Sequence, residues 1–119
     1  MKKILLLVVC LFFLVGCSNN EEDITVDFLG AKDKIINENA VLLDVRTQDE
    51  YDKGHIDGAV LLTLDDINED SVKDVVESKK SVIIVYCQSG NRSSQAVTKL
   101  NKLGYDAVYD LGSINNWEG

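Results

Sequence analysis

The sequence of 119 residues predicts an α/β domain in three layers, with a central five-stranded parallel sheet flanked by helices. Short runs of β-branched and other apolar residues alternate with segments that repeat apolar residues at helical spacing. Strands that alternate with helices need crossover connections, which produce a parallel sheet covered by helices. Proline is absent and 45% of the residues are hydrophobic, which suits one compact domain with a modest core.

The predicted elements follow one another without an internal repeat. Strand composition occurs in five segments: residues 24–26, 41–45, 59–62, 81–86 and 107–110. Apolar residues at helical spacing predict helices over residues 27–38, 72–78 and 93–103. Thr47 with Glu50 three residues later is a capping-box pattern, which predicts a short helix through Tyr51. The apolar run 81–86 predicts a strand that is buried on both faces of the sheet.

The amino terminus has the composition of an export signal. Lys2 and Lys3 give it a cationic start, and an unbroken apolar stretch follows from Ile4 to Val15. This stretch is too short for a transmembrane helix, which needs about 20 residues. It has the length of the apolar part of a signal peptide. The sequence therefore predicts that the chain is exported.

The end of this signal, Leu14-Val15-Gly16-Cys17, resembles the bacterial lipobox. The resemblance implies cleavage after Gly16 and acyl chains such as palmitate on Cys17. We expect a signal peptide at residues 1–16, a lipidated Cys17 with a short tether through residue 23, and a domain over residues 24–119. The alternative is that Cys17 is an ordinary residue of the signal and cleavage occurs elsewhere. Each buried methylene contributes about 0.8 kcal/mol, so several acyl chains would anchor the domain to the exported side of the cell membrane.

The charge of the chain argues against a nucleic-acid partner. The formal net charge is −8, and loss of Lys2 and Lys3 with the signal would make the mature domain more acidic. The sequence has no basic stripe that would neutralise phosphates. We expect no nucleic acid among the partners, and a monomeric domain.

Counting the cysteines directs attention to one residue. Of the three cysteines, Cys10 leaves with the predicted signal and Cys17 is expected to carry lipid. Cys87 would then be the one remaining thiol, so the mature domain could not form an internal disulfide. Such a residue is either a buried core group or a reactive sulfur. The polar loop after Cys87 argues against full burial, and the sequence favours a reactive sulfur.

The surroundings of Cys87 predict an activated thiol. A free cysteine has a pKa of about 8.5, so only about 3% is thiolate at pH 7. Three features would lower that pKa: the Arg92 cation, the dipole of the helix that begins near Ser93, and loop N–H groups around the sulfur. Gly90 would let the backbone turn tightly. The predicted site lies at the carboxyl edge of the sheet, where open α/β folds bind ligands.

Three segments together resemble the rhodanese family. The first comprises Leu43-Asp44-Val45-Arg46, Glu50-Tyr51 and Gly54-His55-Ile56-Asp57-Gly58-Ala59. The second, Cys87-Gln88-Ser89-Gly90-Asn91-Arg92-Ser93, is similar to the active-site loop of single-domain sulfurtransferases. The third, Leu111-Gly112-Ser113-Ile114-Asn115-Asn116-Trp117, is similar to the closing segment of the family, with Ser113 in place of its second glycine. The resemblance covers the whole domain from Ile24 onward.

This resemblance implies a rhodanese-like fold and a double-displacement cycle. Cys87 would take the outer sulfur of a small-molecule donor such as thiosulfate, become a persulfide, and pass the sulfur to a thiol or to cyanide. The active-site loop would comprise Gln88, Ser89, Gly90, Asn91, Arg92 and Ser93. Its N–H groups and Arg92 would stabilise the anionic donor and the persulfide. No metal ion or organic cofactor is implied.

Other residues are expected to have supporting roles. Asp44 can accept hydrogen bonds from loop N–H groups, and Arg46 can pair with Glu50. The alternative for Arg46 is contact with an anionic donor at the entrance. Ser93 could offer its hydroxyl to the loop, although capping of the helix is the safer expectation. His55 is expected to stabilise its turn rather than to act as a base.

Two other functions remain open from the sequence. One is a non-catalytic rhodanese-like module that binds a partner or carries sulfur. The other is a phosphatase or arsenate reductase of the same fold, whose loop is similar to Cys-x5-Arg. Here four residues separate Cys87 from Arg92, and the shorter loop leaves less room for a tetrahedral phosphate.

Overall fold

The structure is a computed structural model that describes residues 24–119. The predicted signal peptide, the lipidated Cys17 and the tether lie outside the described residues. The helices are α1 (Phe28–Asn37), α2 (Gln48–Lys53), α3 (Glu69–Val75) and α4 (Asn91–Lys102). The strands are β1 (Val41–Asp44), β2 (Val60–Leu61), β3 (Ile83–Cys87) and β4 (Val108–Ser113), and 3-10 turns occupy Leu64–Asp66 and Ile114–Asn116. Within residues 24–119, no helix has the length and apolar content needed to cross a bilayer.

The described part of the chain forms one parallel sheet of four strands, in the order β2-β1-β3-β4. The prediction of a fifth strand over residues 24–26 is wrong. This segment makes a single parallel bridge, between Thr25 and Asp110 beside β4. Its pairing cannot extend because Asp27 already caps α1, where its carboxylate accepts the N–H of Gly30 at 2.7 Å. The chain turns into the helix before a ladder can form.

Both faces of the sheet are covered, which confirms the three-layer α/β architecture. Strand β3 is buried at every residue, as its unbroken apolar composition predicts. Alternate residues of β3 point to opposite faces. Ile83, Val85 and Cys87 pack in a core with residues of α3 and α4. Ile84 and Tyr86 pack on the other face in a second core, which includes Ala31 of α1. 

Capping side chains explain where two helices begin. Helix α2 has the capping box that the sequence predicts, because Thr47 and Glu50 bond each other's backbone N–H groups. Helix α3 begins at Glu69 rather than at residue 72, and ends earlier than predicted. The Asn68 side chain accepts the N–H groups of Asp70 and Ser71 at 3.0 and 2.9 Å, which starts the helix one turn sooner.

The carboxyl ends of β3 and β4 extend beyond the predicted boundaries and bring two loops together. Cys87 is the last residue of β3 and pairs with Ser113 of β4. The register shifts just before this pair, since Val85 is opposite Asp110 and Tyr86 is opposite Gly112. The extra residue in β4 is Leu111, a bulge that the apolar pattern alone does not reveal. The closing segment of the chain therefore lies directly beside the loop that follows Cys87.

Candidate active site

The Cys87 loop, defined here as residues 87–93, connects the end of β3 to the first turn of α4. Gly90 occupies the N-cap position of α4 with a φ of 100°, a left-handed conformation that glycine adopts without a Cβ clash. This turn folds the loop back over the cysteine. The Cys87 Sγ accepts the N–H of Gly90 at 3.0 Å and the N–H of Ser93 at 3.4 Å. The sulfur therefore lies in a cradle of backbone donors at a helix N-terminus.

The Cys87 side chain is fully buried, with 0% of the residue exposed to solvent. The sequence-based argument against full burial is wrong. The alternation along β3 turns Cys87 toward the core that contains Val85 and Ala96, and the loop backbone covers the remaining side of the sulfur. Polar side chains in the loop do not prevent this burial, because Gln88, Ser89 and Asn91 are exposed while the backbone beneath them faces the sulfur.

Two opposing effects act on the Cys87 thiol. Burial by itself raises the pKa of the thiol, since it penalises the thiolate. Hydrogen bonds from the N–H groups of Ser93, Gly90 and Ser89 favour the thiolate. Together they prevail, and the pKa of Cys87 lies below the ordinary value for a thiol. The prediction of loop N–H groups around the sulfur agrees with this geometry.

Arg92 forms a bidentate ion pair with Glu50 of α2. Its two terminal nitrogens donate to the two carboxylate oxygens at 2.7 and 3.0 Å. The Arg92 hydrogen bonds, with those of Thr47, lower the pKa of Glu50 to about 2, and the pKa of Arg92 is raised in turn. About a third of each side chain remains exposed. Arg92 thus fastens the Cys87 loop to α2, and part of its charge is already balanced by Glu50.

Ser93 is the third residue of α4 and not its cap, so the expectation of capping is wrong. The helix begins two residues earlier than predicted, because Gly90 makes the turn. Ser93 is fully buried, and its hydroxyl donates to the carbonyl of Gly90 at 3.0 Å. Both polar groups of Ser93 therefore stabilise the loop. Its N–H binds the sulfur, and its hydroxyl binds the Gly90 carbonyl.

The prediction that Arg46 pairs with Glu50 is wrong. Arg46 pairs with Asp44, two residues earlier in the chain. Three hydrogen bonds of 2.7–3.1 Å join the Arg46 guanidinium to the Asp44 carboxylate. The Asp44 side chain has no exposed surface and the Arg46 side chain is 4% exposed. Tyr86 completes this buried group, since its hydroxyl donates to Asp44 Oδ2 at 2.7 Å. We call these three residues the Asp44 cluster.

The Asp44 cluster is hydrogen-bonded to the Cys87 loop and does not form an entrance. Arg46 donates to the side-chain oxygen of Gln88 at 3.1 Å and to the carbonyl of Gly54 at 2.8 Å. Asp44 accepts the N–H of Arg46, not an N–H of the loop. The hydrogen bonds with Asp44 raise the pKa of Arg46, and burial raises that of Tyr86. The expectation that Arg46 lies at the entrance does not fit a guanidinium that is buried and bonded on several sides.

The structure adds one residue that the sequence argument did not assign to the site. Ser113, read from the sequence only as a replaced glycine, donates its hydroxyl to the carbonyl of Gln88 at 2.7 Å. The bulge at Leu111 sets the register that places Ser113 opposite Cys87. Without that register, the sequence gives no signal for the contact.

His55 and the remaining acidic groups do not extend the site. The His55 ring stacks on Tyr51 with centroids 3.7 Å apart, and its Nδ1 is 2.9 Å from the Tyr51 carbonyl. Because a carbonyl can only accept, Nδ1 carries the proton in this contact. This role in the turn fits the sequence-based expectation. Over residues 24–119, His, Cys, Asp and Glu side chains form no group of three or more that could hold a metal ion.

Similarity to known proteins identifies the family of this chain. The model of the rhodanese-like domain matches residues 30–119. The chain belongs to the rhodanese-like domain family. Relatives include the thiosulfate sulfurtransferase PspE of Escherichia coli, 31% identical over 62% of this chain and 70% of that protein. The thiosulfate sulfurtransferase GlpE of Coxiella burnetii is 31% identical over 78% of this chain and 85% of that protein.

A solved structure supports the same assignment at the level of the fold. A rhodanese with anions from E. coli superposes with a TM-score of 0.63 at 28% identity, over 66% of this chain and 92% of that one. The rhodanese fold is therefore shared between the two chains. In this rhodanese-like domain the Cys87 loop occupies the carboxyl edge of the sheet, as the resemblance of its sequence implied.

Proposed function

We propose that this rhodanese-like domain is a sulfurtransferase that carries sulfane sulfur on Cys87. The observation that carries the proposal is the cradle of N–H groups around a single buried sulfur whose pKa is lowered. Such a cradle favours an anionic sulfur without a full positive charge in contact with it. Two relatives named as thiosulfate sulfurtransferases, PspE and GlpE, support thiosulfate as the class of donor.

The first half of the proposed cycle loads the cysteine. The Cys87 thiolate attacks the outer sulfur of thiosulfate, a new S–S bond forms, and the original S–S bond breaks. Sulfite leaves with that bonding pair of electrons, and Cys87 becomes a persulfide. Because sulfite departs as an anion and the persulfide is itself ionised, the step needs no general acid, which agrees with His55 being held in its own turn.

The second half of the cycle unloads the sulfur. An acceptor thiolate, or cyanide, attacks the terminal sulfur of the persulfide, and the bonding pair returns to Cys87 as thiolate. The N–H groups of Gly90 and Ser93 are placed to stabilise that thiolate as it leaves. The same donors therefore serve both halves of the double displacement.

Arg92 would contribute in this cycle mainly by holding the loop in shape. Its bidentate pairing with Glu50 fixes the loop to α2 and leaves about a third of the Arg92 side chain exposed. An anionic donor would meet a cation that is partly neutralised. The solved E. coli rhodanese carries anions, and we propose that an anionic donor binds here at the loop N–H groups first, with Arg92 second.

The activity is tested by incubating the purified domain with thiosulfate and cyanide and measuring thiocyanate. Turnover that is lost in Cys87→Ser and retained in the exposed-helix control Thr98→Ala supports the proposal. Full turnover in a folded Cys87→Ser variant would contradict it.

The burial of Cys87 favours a second candidate, a module that binds a partner or stores sulfur without turnover. The sulfur has no exposed surface in this conformation, so a donor can reach it only when the loop moves. A domain that binds a protein ligand but forms no thiocyanate from thiosulfate and cyanide would support this candidate.

We also propose that the domain is anchored to the exported side of the cell membrane through lipid on Cys17. The support is the apolar stretch from Ile4 and the lipobox-like sequence that ends at Cys17. Cys17→Ser should move the protein from the membrane fraction to the aqueous fraction. Cys10→Ser, a change of the same kind within the same stretch, should leave it with the membrane. An unchanged distribution of Cys17→Ser would contradict lipid anchoring at this residue.

A further inference from the structure

Ser113 connects the last strand of the domain to the Cys87 loop. Its hydroxyl donates to the carbonyl of Gln88 at 2.7 Å and accepts the N–H of Asn115 at 3.1 Å. In the sheet, Ser113 stands opposite Cys87 itself. The hydroxyl therefore binds the peptide between Gln88 and Ser89, which begins one residue after the candidate nucleophile.

The geometry of a peptide bond turns this contact into an effect on the sulfur. The Gln88 carbonyl and the Ser89 N–H belong to one planar trans peptide unit, in which the two groups point in opposite directions. A hydroxyl that holds the carbonyl toward β4 consequently directs the N–H away from β4. The next peptide along the chain carries the Gly90 N–H, which Cys87 Sγ accepts at 3.0 Å, so the orientation of the Gln88–Ser89 peptide sets the start of that contact.

A second contact fixes the same residue from another side. The Gln88 side-chain oxygen accepts from Arg46 at 3.1 Å, and Arg46 is itself held by Asp44. The side chain of Gln88 is thus bonded to Arg46, two residues after β1, and its carbonyl is bonded to Ser113 of β4. Rotation of the Gln88–Ser89 peptide would break the bond to Ser113, because that bond is made by the peptide itself.

We propose that Ser113 is a positioning residue whose hydroxyl fixes the Gln88–Ser89 peptide and thereby holds the adjoining Gly90 N–H on the anionic sulfur of Cys87. The consequence for sulfur transfer rests on the proposed function, whereas the consequence for the thiol does not. The competing interpretation is that Ser113 only caps the final 3-10 turn through Asn115. The two interpretations differ in whether loss of the hydroxyl changes the ionisation of Cys87.

The test is the rate at which iodoacetamide alkylates Cys87 as a function of pH, measured in the domain without any sulfur donor. Ser113→Ala removes the hydroxyl and Ser113→Thr retains one. Ser71→Ala is the matched control, because the Ser71 hydroxyl donates to the Asp66 carbonyl at 2.7 Å and accepts the N–H of Asn68 at 3.0 Å. Ser71 belongs to α3 and has none of its hydrogen bonds with the Cys87 loop.

We expect the midpoint of the alkylation profile to move to higher pH in Ser113→Ala, with a rate at pH 6 that is lower by about threefold to tenfold, as for a weakened hydrogen bond to a charged group. Ser113→Thr should restore the wild-type profile, and Ser71→Ala should match wild type. A wild-type profile in Ser113→Ala, accompanied by a loss of thermal stability like that of Ser71→Ala, would overturn the proposal in favour of capping alone.

The failure of this inference is distinguishable from failure of the proposed function. A shifted alkylation profile in Ser113→Ala together with no thiosulfate turnover in wild type would uphold the positioning role and refute sulfur transfer. Normal turnover with an unshifted profile would refute the positioning role and uphold sulfur transfer.

Discussion

The Cys87 loop and the Asp44 cluster lie side by side at the carboxyl edge of the sheet, and they stabilise charge in opposite ways. In the Asp44 cluster, a buried carboxylate and a buried guanidinium neutralise each other at 2.7 Å, and the Tyr86 hydroxyl adds a further bond. In the Cys87 loop, the sulfur is bound by the N–H groups of Gly90 and Ser93. In the cluster, oppositely charged and hydrogen-bonding side chains satisfy one another, whereas the N–H groups of the loop can stabilise a negative charge on the sulfur.

This difference indicates a division of labour between the two regions. A buried ion pair that loses one partner leaves an uncompensated charge, so the Asp44 cluster is suited to a fixed frame and unsuited to chemistry. Backbone N–H dipoles carry no net charge, so a change of the sulfur between thiol, thiolate and persulfide costs them much less free energy than loss of a partner costs a buried ion. Changes in the cluster should therefore act on stability, and changes in the loop should act on the reactivity of Cys87. Four substitutions test this division, from the largest expected effect on stability to the smallest.

Asp44→Ala should have the largest effect. It leaves the Arg46 guanidinium buried without its carboxylate, which costs about 3–5 kcal/mol of unfolding free energy. Urea denaturation measures the change. Asp52→Ala, which removes an exposed carboxylate on α2, should stay within about 0.5 kcal/mol of wild type. Equal stability of the two variants would show that the cluster is not the frame described here.

Tyr86→Phe should have the second-largest effect on stability. The variant removes a hydroxyl that donates to Asp44 and accepts the N–H of Ile56 at 3.2 Å, and leaves both groups buried without this partner. The expected cost is about 1–3 kcal/mol, while sulfur transfer by the folded protein should stay near wild type. Tyr109→Phe is the control on the neighbouring strand. Loss of transfer without loss of stability in Tyr86→Phe would contradict a purely structural cluster.

Gly90→Ala should affect both stability and reactivity. Its φ of 100° is unfavourable for alanine by about 1–2 kcal/mol, although a Cβ would have space, with Gly112 Cα 3.9 Å away. Gly104→Ala is a close match, since Gly104 has a φ of 99° after α4 and an added Cβ would meet the Lys79 side chain rather than the loop. Both variants should lose similar stability, but only Gly90→Ala should slow thiocyanate formation. Equal activities would show that the turn at Gly90 is unimportant for the cradle.

Glu50→Gln should have the smallest effect on stability, below about 1 kcal/mol, because the pair with Arg92 is partly exposed. The pKa of Glu50 is lowered to about 2, so the contribution of the pair is fully present above the ordinary carboxyl pKa. It declines as the pH falls toward about 2. Thermal unfolding of wild type and Glu50→Gln should thus differ at pH 6 and converge in acid. A difference that grows in acid would contradict this assignment.

The architecture and the position of Cys87 at the end of a buried strand could be predicted from the sequence, since both depend on local patterns. The apolar run before Cys87 marked a buried strand, and the glycine at position 90 marked the turn. The ion-pair partners of the two arginines could not be predicted, because the sequence allows either Arg46 or Arg92 to pair with Glu50. The register of the sheet determines that Arg92 pairs with Glu50 and Arg46 with Asp44. Ser113 was missed for a similar reason, because the bulge at Leu111 sets its position. The fifth strand was overpredicted because strand composition over residues 24–26 competes with the capping of α1 by Asp27.

If Cys87 carries the transferred sulfur, a single half-reaction will reveal the loaded cysteine. The domain is incubated with thiosulfate, freed of excess donor, and analysed by intact-protein and peptide mass spectrometry before and after addition of cyanide. We predict that the wild-type protein gains the mass of one sulfur atom on Cys87 and loses it to cyanide as thiocyanate, whereas folded Cys87→Ser gains none. A wild-type protein that gains no sulfur from thiosulfate or from a persulfide, or a Cys87→Ser variant that gains it equally, would contradict sulfur transfer through Cys87.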